Sequence, residues 1–541
     1  MYSEFFLAVF IPWIITVCLF IIIIAFLFSL PEIVKGFLRL PNLVKLLLLS
    51  AIIGGAFIRF YWTPFTHRIY YDEDRYLTYT VAFAKYNKAE SIVVGTPKKL
   101  VSGFPDEAVR LTLPVANAWI LKTFGYNEHN LFVAAKILNS LQIPLIFIFS
   151  YLLFSNFTVA LFATFGMAFL PNNIYWSTSI TLDPYFVTFS LIAMVSTCLY
   201  ALKPNLKNGA LFIAALFTLF CVRIEAFLFL PIIILTIIFL RKQSHEKKFL
   251  QKIDLLIYLV AVFFIGLRAL ASISVLGKQW CCAENLPLEA FYPDYFIRNL
   301  LPNIYNLFNR VEFPFLITVL AIIAAIKINN KKMYILLLWI VSYFVIYSLY
   351  YAGMFYTFEY SGSYGRYFLI LCPAILILAG LSVDLLFKQS KKFILISILI
   401  FMISLTSLFT QYRTLISTSP FSKLVDDGPI FIHNFIYKTM IPNTPKNSIL
   451  ISNLPAMTIM TGHPAAFLAG LMEDKTTQDF IRESLKNKVK VYSTIPYNCV
   501  DLPQQCEEMF KLFQFIPYNV EKNKTNFQFA EVLLQTPKET K

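Results

Sequence analysis

Residues Tyr70–Ala84 read YYDEDRYLTYTVAFA and place three consecutive acids shortly after the apolar segment Leu43–Trp62. The pattern predicts a helix whose first turn carries Asp72, Arg75 and Tyr76 at positions i, i+3 and i+4, on one face. A carboxylate, a guanidinium and a phenol would therefore converge close to the end of a membrane span. That set of groups suits the removal of a proton beside a phosphate.

Two other interpretations of the three acids are open at this point. Asp72 can cap the helix, and Glu73 and Asp74 would favour its positive N-terminal end. Asp72 and Asp74 also form a DxD sequence, in which two carboxylates can bind a divalent metal. Where nucleotide-sugar enzymes use that motif it belongs to a soluble α/β domain, which this region is not. We therefore predict no certain cofactor, with Asp72 and Asp74 as the ligands if a divalent metal binds.

The composition is that of a polytopic membrane protein. Hydrophobic residues make up 58% of the 541 residues and charged residues 14%, whereas soluble domains have about 45–50% and about 25%. Lys and Arg outnumber Asp and Glu by 46 to 31, and the surplus lies largely in short connections between apolar segments. Membrane orientation explains this distribution, so we predict membrane lipids and no nucleic acid as partners.

A membrane-spanning helix needs about 20 apolar residues, and this criterion predicts about twelve spans. Lys35, Arg39 and Lys45 place the connection before the second span in the cytoplasm, so that span runs outward and Asp72 lies at the outer face. The predicted spans are Phe5–Leu30, Leu43–Trp62, Asn130–Phe154, Phe157–Ser177, Pro184–Leu202, Asn208–Val222, Ile224–Leu240, Ile253–Val275, Phe313–Ile328, Tyr334–Ala352, Tyr367–Phe387 and Phe393–Thr410.

Stretches outside the spans define the domain organisation. Residues 63–126 are predicted as a first outer loop with helices lying along the membrane, and 277–312 as another outer loop. After the transmembrane domain, 1–410, the apolar pattern ends, and 411–541 is predicted to form a soluble extracytoplasmic α/β domain. In that domain ILISNLPAMTIM predicts a buried strand leading into a helix, and VKVYSTI and FAEVLLQ predict further strands. The sequence allows a local disulfide between Cys499 and Cys506 there.

A second acid lies at a predicted membrane boundary. Asp183, in SITLDPYF, begins a span at the outer face, so two distant loops each present a carboxylate there. Asp183 followed by Pro184 is also a favourable pair for starting a helix. Capping alone and a role in a site are both open.

Charged residues at two other span ends and one within a span are further candidates. Arg223 and Glu225, in CVRIEAFLFLP, would be costly at the membrane boundary unless they form an ion pair or contact a substrate. Arg366 and Tyr367 start another span, where the arginine can either extend to lipid headgroups or bind a lipid phosphate through two hydrogen bonds. Arg268 lies within a span and is expected to face the protein interior.

Taken in order, these motifs resemble membrane glycosyltransferases of the GT-C class. DEDRY precedes an amphipathic helix and is followed by FGYNEHNLFVAAKILNSL, LDP at the start of a span, RIEAFLFLP and RYFLILCPAILILAGL. The resemblance is greatest to the protein O-mannosyltransferase and aminoarabinose-transferase group and covers nearly the whole chain, including SNLPAMTIMTGHPAAF near the C-terminal domain's start. One difference is that LTLPVANAWILKTFG has no basic residue at its proline, where the family often has one.

The resemblance implies a GT-C fold and an inverting glycosyltransferase that uses a polyprenyl-phosphate sugar donor and a lipid, glycan or protein acceptor. It matches Asp72, with Glu73 beside it, and Asp183 to the catalytic acids of the first two outer loops. Arg366 matches a candidate for holding the carrier phosphate. The expected location is the bacterial or archaeal plasma membrane, with an extracytoplasmic active site. The further predicted substrate-binding residues are Arg75, Tyr76, Arg223, Glu225 and Tyr367.

The main alternative is a multispan transporter or flippase of lipids or glycolipids. Such proteins tend to place ionisable groups near the bilayer midplane and to contain internal repeats. Here most of the selected acids lie at the predicted outer boundary and no repeat is evident in the sequence. This distribution favours an enzyme.

Overall fold

The structure is a computed structural model that describes residues 6–65, 67–68, 70–89, 92–96, 99–102, 110–243, 252–275, 293–308, 314–350, 366–389, 433, 435–468, 471, 474–494, 503–517 and 529–535. Its helices are α1 Ile11–Leu38, α2 Asn42–Phe57, α3 Tyr70–Tyr86, α4 Thr112–Phe124, α5 Glu128–Phe154, α6 Phe157–Phe169, α7 Pro171–Tyr175, α8 Leu182–Leu202, α9 Leu206–Phe220, α10 Phe229–Gln243, α11 Lys252–Val275, α12 Pro293–Phe308, α13 Phe315–Lys327, α14 Met333–Ser348, α15 Cys372–Gln389, α16 Pro455–Met460, α17 Lys475–Lys486 and α18 Pro503–Leu512. Its strands are β1 Ile92–Thr96, β2 Lys99–Ser102, β3 Ile449–Ser452, β4 Ala465–Phe467, β5 Val491–Thr494, β6 Phe513–Pro517 and β7 Phe529–Leu534.

Seven single helical segments of the described residues are long and apolar enough to cross a membrane. A bent pair, Phe157–Phe169 with Pro171–Thr178, adds an eighth span if it is counted as one, and α9, α13 and α14 are shorter apolar helices. The protein is therefore an integral membrane protein with a polytopic helical fold, as predicted. The predicted span Phe393–Thr410 lies outside the described residues. The seven single segments long enough to cross a membrane are Phe6–Leu38, Asn42–Trp62, Glu128–Phe154, Leu182–Leu202, Ile224–Lys242, Ile253–Ala271 and Tyr367–Lys388.

The predicted span Phe157–Ser177 is broken in the structure. Helix α6 ends at Phe169, and the following helical segment is inclined by 50°. Pro171 occupies the first turn of α7, and Leu170 before it is extended, with φ −65° and ψ 122°. A proline ring disfavours helical geometry in the preceding residue and removes one backbone donor, so the helix cannot continue through this point.

Glycines allow helices α6 and α15 to pack closely. A Cβ atom added at Gly166 would lie 2.3 Å from Leu376 Cδ2, and one at Gly380 would lie 2.9 Å from the backbone oxygen of Val159. Small residues are common where membrane helices approach each other, because the backbones themselves come into contact. This contact fixes α15 directly after the 3-10 turn Tyr367–Leu371, which contains a predicted site residue.

The chain forms two compact units, each assembled from segments that are distant in sequence. Residues of the predicted first outer loop share the second unit with the C-terminal segment. The first unit comprises Met1–Thr66, Asp106–Ala116 and Phe132–Thr418, and the second comprises His67–Pro105, Asn117–Leu131 and Ser419–Lys541.

A seven-stranded mixed sheet organises the second unit, in the order β2-β1-β4-β3-β5-β7-β6. Strand β3 lies between β4 and β5 and is parallel to both, with Leu450 opposite Ala465 on one side and Tyr492 on the other. The remaining neighbours pair in antiparallel fashion. The predicted strands ILIS, VYST and FAEVLL are confirmed as β3, β5 and β7, whereas β1, β2, β4 and β6 were not predicted.

Amphipathic helices cover a buried core on this sheet. Ile451 of β3 and Val491 of β5 pack with Ile481 of α17 and Met509 of α18. Helix α17 begins where the Asp474 carboxylate accepts hydrogen bonds from two backbone N–H groups of the first turn, which is the usual way for aspartate to cap a helix. The apolar face of α17, which includes Ile481, packs on the sheet.

Candidate active site

A buried ion pair joins two predicted site residues of the first unit. Asp183 lies in the first turn of α8, and its Oδ1 accepts a hydrogen bond from Arg223 Nη1. The two side chains are only 6% and 7% exposed. The interpretation of Asp183 as a helix cap is wrong, because α8 begins at Leu182 and Thr181 holds the capping position. The carboxylate instead binds an arginine from another part of the chain.

Glu225 binds the same guanidinium. Arg223 Nη2 lies 3.2 Å from Glu225 Oε1, and its Nε lies 3.4 Å from Oε2. The two side chains can meet because Arg223 is extended and the chain then enters the 3-10 turn Ile224–Leu228. Tyr343 holds this turn in place by donating to the backbone oxygen of Glu225 at 2.9 Å. The ion pair considered from the sequence is therefore present.

Arg366 adds a second guanidinium to Asp183. Its Nε lies 3.7 Å from Asp183 Oδ2, so each oxygen of this carboxylate faces a different arginine. Arg366 Nη2 also donates to the Tyr367 hydroxyl at 3.2 Å. The Arg366 side chain is 12% exposed, which contradicts the interpretation that it merely extends to headgroups.

Tyrosine rings cover the two arginines. The guanidinium carbon of Arg223 lies 5.2 Å from the centroid of Tyr367 and 5.9 Å from that of Tyr347, and that of Arg366 lies 5.0 Å from Tyr367. Aromatic faces attract cations at these separations. Tyr347 was not predicted, because nothing in the apolar sequence of α14 distinguishes it.

Two further arginines act on Glu225. Arg110 and Arg268 both lie close enough to interact electrostatically with its carboxylate. Arg268 is fully buried and its Nε donates to the backbone oxygen of Phe220 at 2.8 Å, so its predicted inward orientation is confirmed. Arg110 was not predicted, although it lies four residues before Pro114, close to where the family pattern has a basic residue.

Guanidiniums outnumber carboxylates in this arginine cluster of the first unit, among the residues that the structure describes. A cluster of this kind suits an anionic ligand such as a phosphate. The cluster consists of Arg110, Arg223, Arg268 and Arg366 with Asp183 and Glu225.

The second unit contains the stretch DEDRY at the start of α3. The helix begins at Tyr70, so Asp72 lies within its first turn and does not hold the capping position suggested as one interpretation. Asp72 and Arg75 are partly exposed and Tyr76 is buried. The three residues share a helix face, as the spacing predicted.

Glu73 is engaged with a neighbouring histidine. Its side chain is fully buried, and its Oε2 lies 2.9 Å from His67 Nδ1 and accepts the backbone N–H of Arg68 at 2.9 Å. Burial alone would lower the pKa of His67, but the carboxylates of Glu73 and Glu128 outweigh it and raise that pKa to about 10. Glu73 is therefore a partner of His67, whereas the sequence placed it beside Asp72 as a candidate catalytic acid.

Asp74 is buried against a different partner. Its Oδ1 accepts the backbone N–H of Met457 at 3.0 Å. Burial raises the pKa of Asp74 to about 8, against the opposing effect of that hydrogen bond. Residues two apart on a helix do not share a face, so Asp72 and Asp74 point in different directions from α3. Asp72 and Asp74 as metal ligands stay a prediction.

The structure groups three other side chains that could hold a metal. His67, Glu128 and His433 each offer one ligand atom, and these atoms lie within 4.8 Å of one another. None of the three was predicted. The signal available in the sequence was the scarcity of histidine, since two of only five histidines in 541 residues belong to this His-Glu-His cluster.

The predicted site residues thus fall into two sets. Asp183, Arg223, Glu225, Arg366 and Tyr367 meet in the first unit, and Asp72, Glu73, Arg75 and Tyr76 lie on α3 in the second. The predicted meeting of Asp72 with Asp183 stays a prediction.

Comparison with known proteins identifies the fold. No protein-family model and no curated protein matches the sequence. The structure of ArnT from Cupriavidus metallidurans bound to undecaprenyl phosphate matches with a TM-score of 0.56 at 11% identity, over 90% of this chain and 97% of that one. The apo oligosaccharyltransferase of Archaeoglobus fulgidus matches with a TM-score of 0.50 at 12% identity, over 90% and 74%. The predicted GT-C fold is confirmed.

Proposed function

We propose that this protein is an inverting glycosyltransferase that moves a sugar from a polyprenyl-phosphate donor to a lipid, glycan or protein acceptor at the extracytoplasmic face of the membrane. The observation that carries the proposal is the buried arginine cluster around Asp183 and Glu225. It occurs in a fold shared with ArnT, whose structure holds undecaprenyl phosphate.

The arginine cluster suits the leaving group of this reaction. When the bond between the sugar C1 and the phosphate oxygen breaks, its electron pair stays on the phosphate, which gains negative charge. Guanidiniums that are already fixed stabilise that charge without reorganising. Asp183 supports the orientation of both Arg223 and Arg366, because each of its oxygens faces one of them. We therefore assign Asp183 to positioning the phosphate-binding groups, where the sequence had suggested direct acid or base chemistry.

Asp72 is the proposed general base. An acceptor hydroxyl or amine attacks C1 from the face opposite the phosphate, and its proton passes to the carboxylate, a contribution of about 10²–10⁴-fold in rate. Asp72 is partly exposed, whereas Glu73 and Asp74 are buried and engaged with His67 and Met457. Arg75 and Tyr76 share its helix face and are proposed to contact the substrate.

Acceptor binding is proposed for the predicted first outer loop, 63–126, together with the predicted extracytoplasmic domain, 411–541. Segments of both belong to one compact unit, so a single folded body could select the acceptor. Replacing Ser417–Lys541 by the corresponding segment of a relative should then change acceptor choice without changing the donor.

The function is tested by mass spectrometry of membrane glycolipids and glycoproteins. Cells lacking the gene are compared with cells complemented by the wild type or by Asp72→Asn at equal expression. A sugar modification should be present only with the wild type. Identical glycans in all three strains would contradict the transferase. A glycolipid that is chemically unchanged but redistributed between leaflets would instead indicate the transporter.

Donor binding is tested with purified protein. Native mass spectrometry measures the affinity for a short-chain polyprenyl phosphate in detergent, and Arg366→Gln should weaken it about 10–100-fold, the value of one or two charged hydrogen bonds. Arg241→Gln is the matched control, because Arg241 is also buried and paired, with Asp254. Equal loss in both variants would contradict the assignment of the phosphate site.

A further inference from the structure

The His-Glu-His cluster of the second unit has the chemistry of a zinc site. Two imidazoles and one carboxylate are ligands that Zn²⁺ accepts readily, and three protein ligands leave a fourth position for water or another donor. We propose that His67, Glu128 and His433 bind a Zn²⁺ ion.

The distances within the cluster suit a tetrahedral ion. Zinc lies about 2.0–2.2 Å from nitrogen and oxygen ligands, so two ligand atoms at the tetrahedral angle are about 3.3–3.6 Å apart. The Glu128 Oε2 atom lies 3.4 Å from His67 Nε2 and 3.7 Å from His433 Nε2. The histidine rings approach edge to face, with centroids 5.3 Å apart. Small side-chain adjustments would bring all three atoms onto one ion.

Neighbouring groups orient the proposed ligands. Glu73 Oε2 lies 2.9 Å from His67 Nδ1, so a proton on Nδ1 leaves the Nε2 lone pair directed at Glu128. The Tyr437 hydroxyl donates to Glu128 Oε1 at 2.7 Å and leaves Oε2 for the metal. A carboxylate behind a ligating histidine and a hydrogen bond behind a ligating carboxylate are typical of metal sites.

The ion would connect three segments that are far apart in the chain. His67 precedes α3, Glu128 begins α5, and His433 precedes the turn Ile436–Met440. Fixing His67 and Glu73 would also fix the start of α3, where Asp72 lies. The proposed ion is therefore a structural element that positions the proposed base, and its presence can be measured without any assay of transfer.

The test is metal analysis of the full-length protein, purified in detergent through an affinity tag without histidines. We expect about one zinc per chain by elemental mass spectrometry. A chelator should lower the melting temperature, and Zn²⁺ but not Mg²⁺ should restore it. Cobalt loaded in place of zinc should give the visible absorption of a tetrahedral ion. Glu73→Gln should weaken zinc binding by about 10–100-fold, because it alters the group that orients His67 without removing a proposed ligand.

Matched variants separate the site from other histidines. His433→Gln and Glu128→Gln should lose the zinc and the cobalt spectrum. In Glu128→Gln the new amide oxygen can still accept the Tyr437 hydrogen bond, which preserves folding. His463→Gln should keep both the zinc and the spectrum, because His463 is also buried but contacts Thr461.

Two results would overturn the proposal. One is a wild type that binds no zinc and whose melting is indifferent to chelator and Zn²⁺, in which case His67 is an imidazolium between two carboxylates. The other is retention of zinc by His433→Gln.

Discussion

Replacing Asp183 by Asn tests whether its carboxylate positions catalytic arginines or only stabilises the fold. Asp183 and Arg223 are almost fully buried, and removing one partner of such an ion pair costs about 3–5 kcal/mol. Asn has the same shape and can still accept one hydrogen bond, so the loss should lie near the lower end of that range. Because total stability is about 5–15 kcal/mol, the variant should fold but melt at a lower temperature.

Asp254→Asn supplies the matched control. Asp254 is fully buried, accepts hydrogen bonds from both Nη atoms of Arg241 at 2.9 and 2.6 Å, and accepts another from the Tyr200 hydroxyl. Its loss should therefore cost at least as much stability as the loss of Asp183. Tyr200 lies about 25 Å further along α8 than Asp183, at about 1.5 Å per residue. Any effect of Asp254→Asn on transfer should consequently follow the folded fraction alone.

The assay compares sugar transfer in proteoliposomes well below both melting temperatures, with the folded fraction determined separately. Asp183→Asn should lose transfer by about 10²–10³-fold, the usual cost of disturbing one fixed group that stabilises transition-state charge. Binding of polyprenyl phosphate should change far less, since the substitution removes a negative charge from the cluster. Equal transfer by the two variants at equal folded fraction would refute the positioning role.

Three further predictions follow from particular contacts. Asp72→Asn should lower the rate of sugar transfer by about 10²–10⁴-fold while polyprenyl-phosphate binding, measured by native mass spectrometry, is unchanged. Unaltered transfer would show that Asp72 is not the general base. The pKa of the Asp74 carboxyl is about 8 in the folded protein, against an ordinary value of 3.8. The stability that the protonated carboxyl contributes is therefore present at low pH and is lost as pH rises from about 4 to about 8. The free energy of unfolding should fall by at most about 1.4 kcal/mol per pH unit in this range. Asp74→Asn should flatten the fall of the melting temperature between about pH 5 and about pH 8, and an unchanged slope would contradict the assignment. Gly380→Ala should destabilise the protein by about 1–3 kcal/mol, because the new Cβ would meet the backbone of Val159, whereas Gly36→Ala, with nothing within 4 Å, should have little effect in the same thermal unfolding measurement.

Sequence reasoning predicted those features that depend on local or compositional signals. Long apolar segments predicted the membrane spans, because a helix must be long and hydrophobic to cross a bilayer. The strands β3 and β5 were evident from short apolar runs next to turn residues. Strands β1 and β4 pair with each other across more than half the chain, with Val94 opposite Ala466. Neither the short sequence of β4 nor the sequence IVVGT of β1 indicates that these two strands pair, so the full sheet could not be predicted.

Side-chain partners were the least predictable feature, because they depend on how distant segments pack. Helix periodicity placed Asp72, Arg75 and Tyr76 on one face, but it could not show that Glu73 and Asp74 turn to other segments of the second unit. In the first unit, the ion pair between Arg223 and Glu225 could be predicted, because the two residues are only two positions apart. The histidines of the His-Glu-His cluster come from segments that no short motif connects, so only the folded chain brings them together.

The two buried arginine–aspartate pairs of the first unit show how a structural pair differs from a site. At Arg241, both Nη atoms donate to the single carboxylate of Asp254. At Asp183, one carboxylate is shared by Arg223 and Arg366, and Glu225 faces further guanidiniums. We therefore propose the lipid phosphate as a ligand of the arginines that share Asp183, and not of Arg241, which binds Asp254 through both Nη atoms.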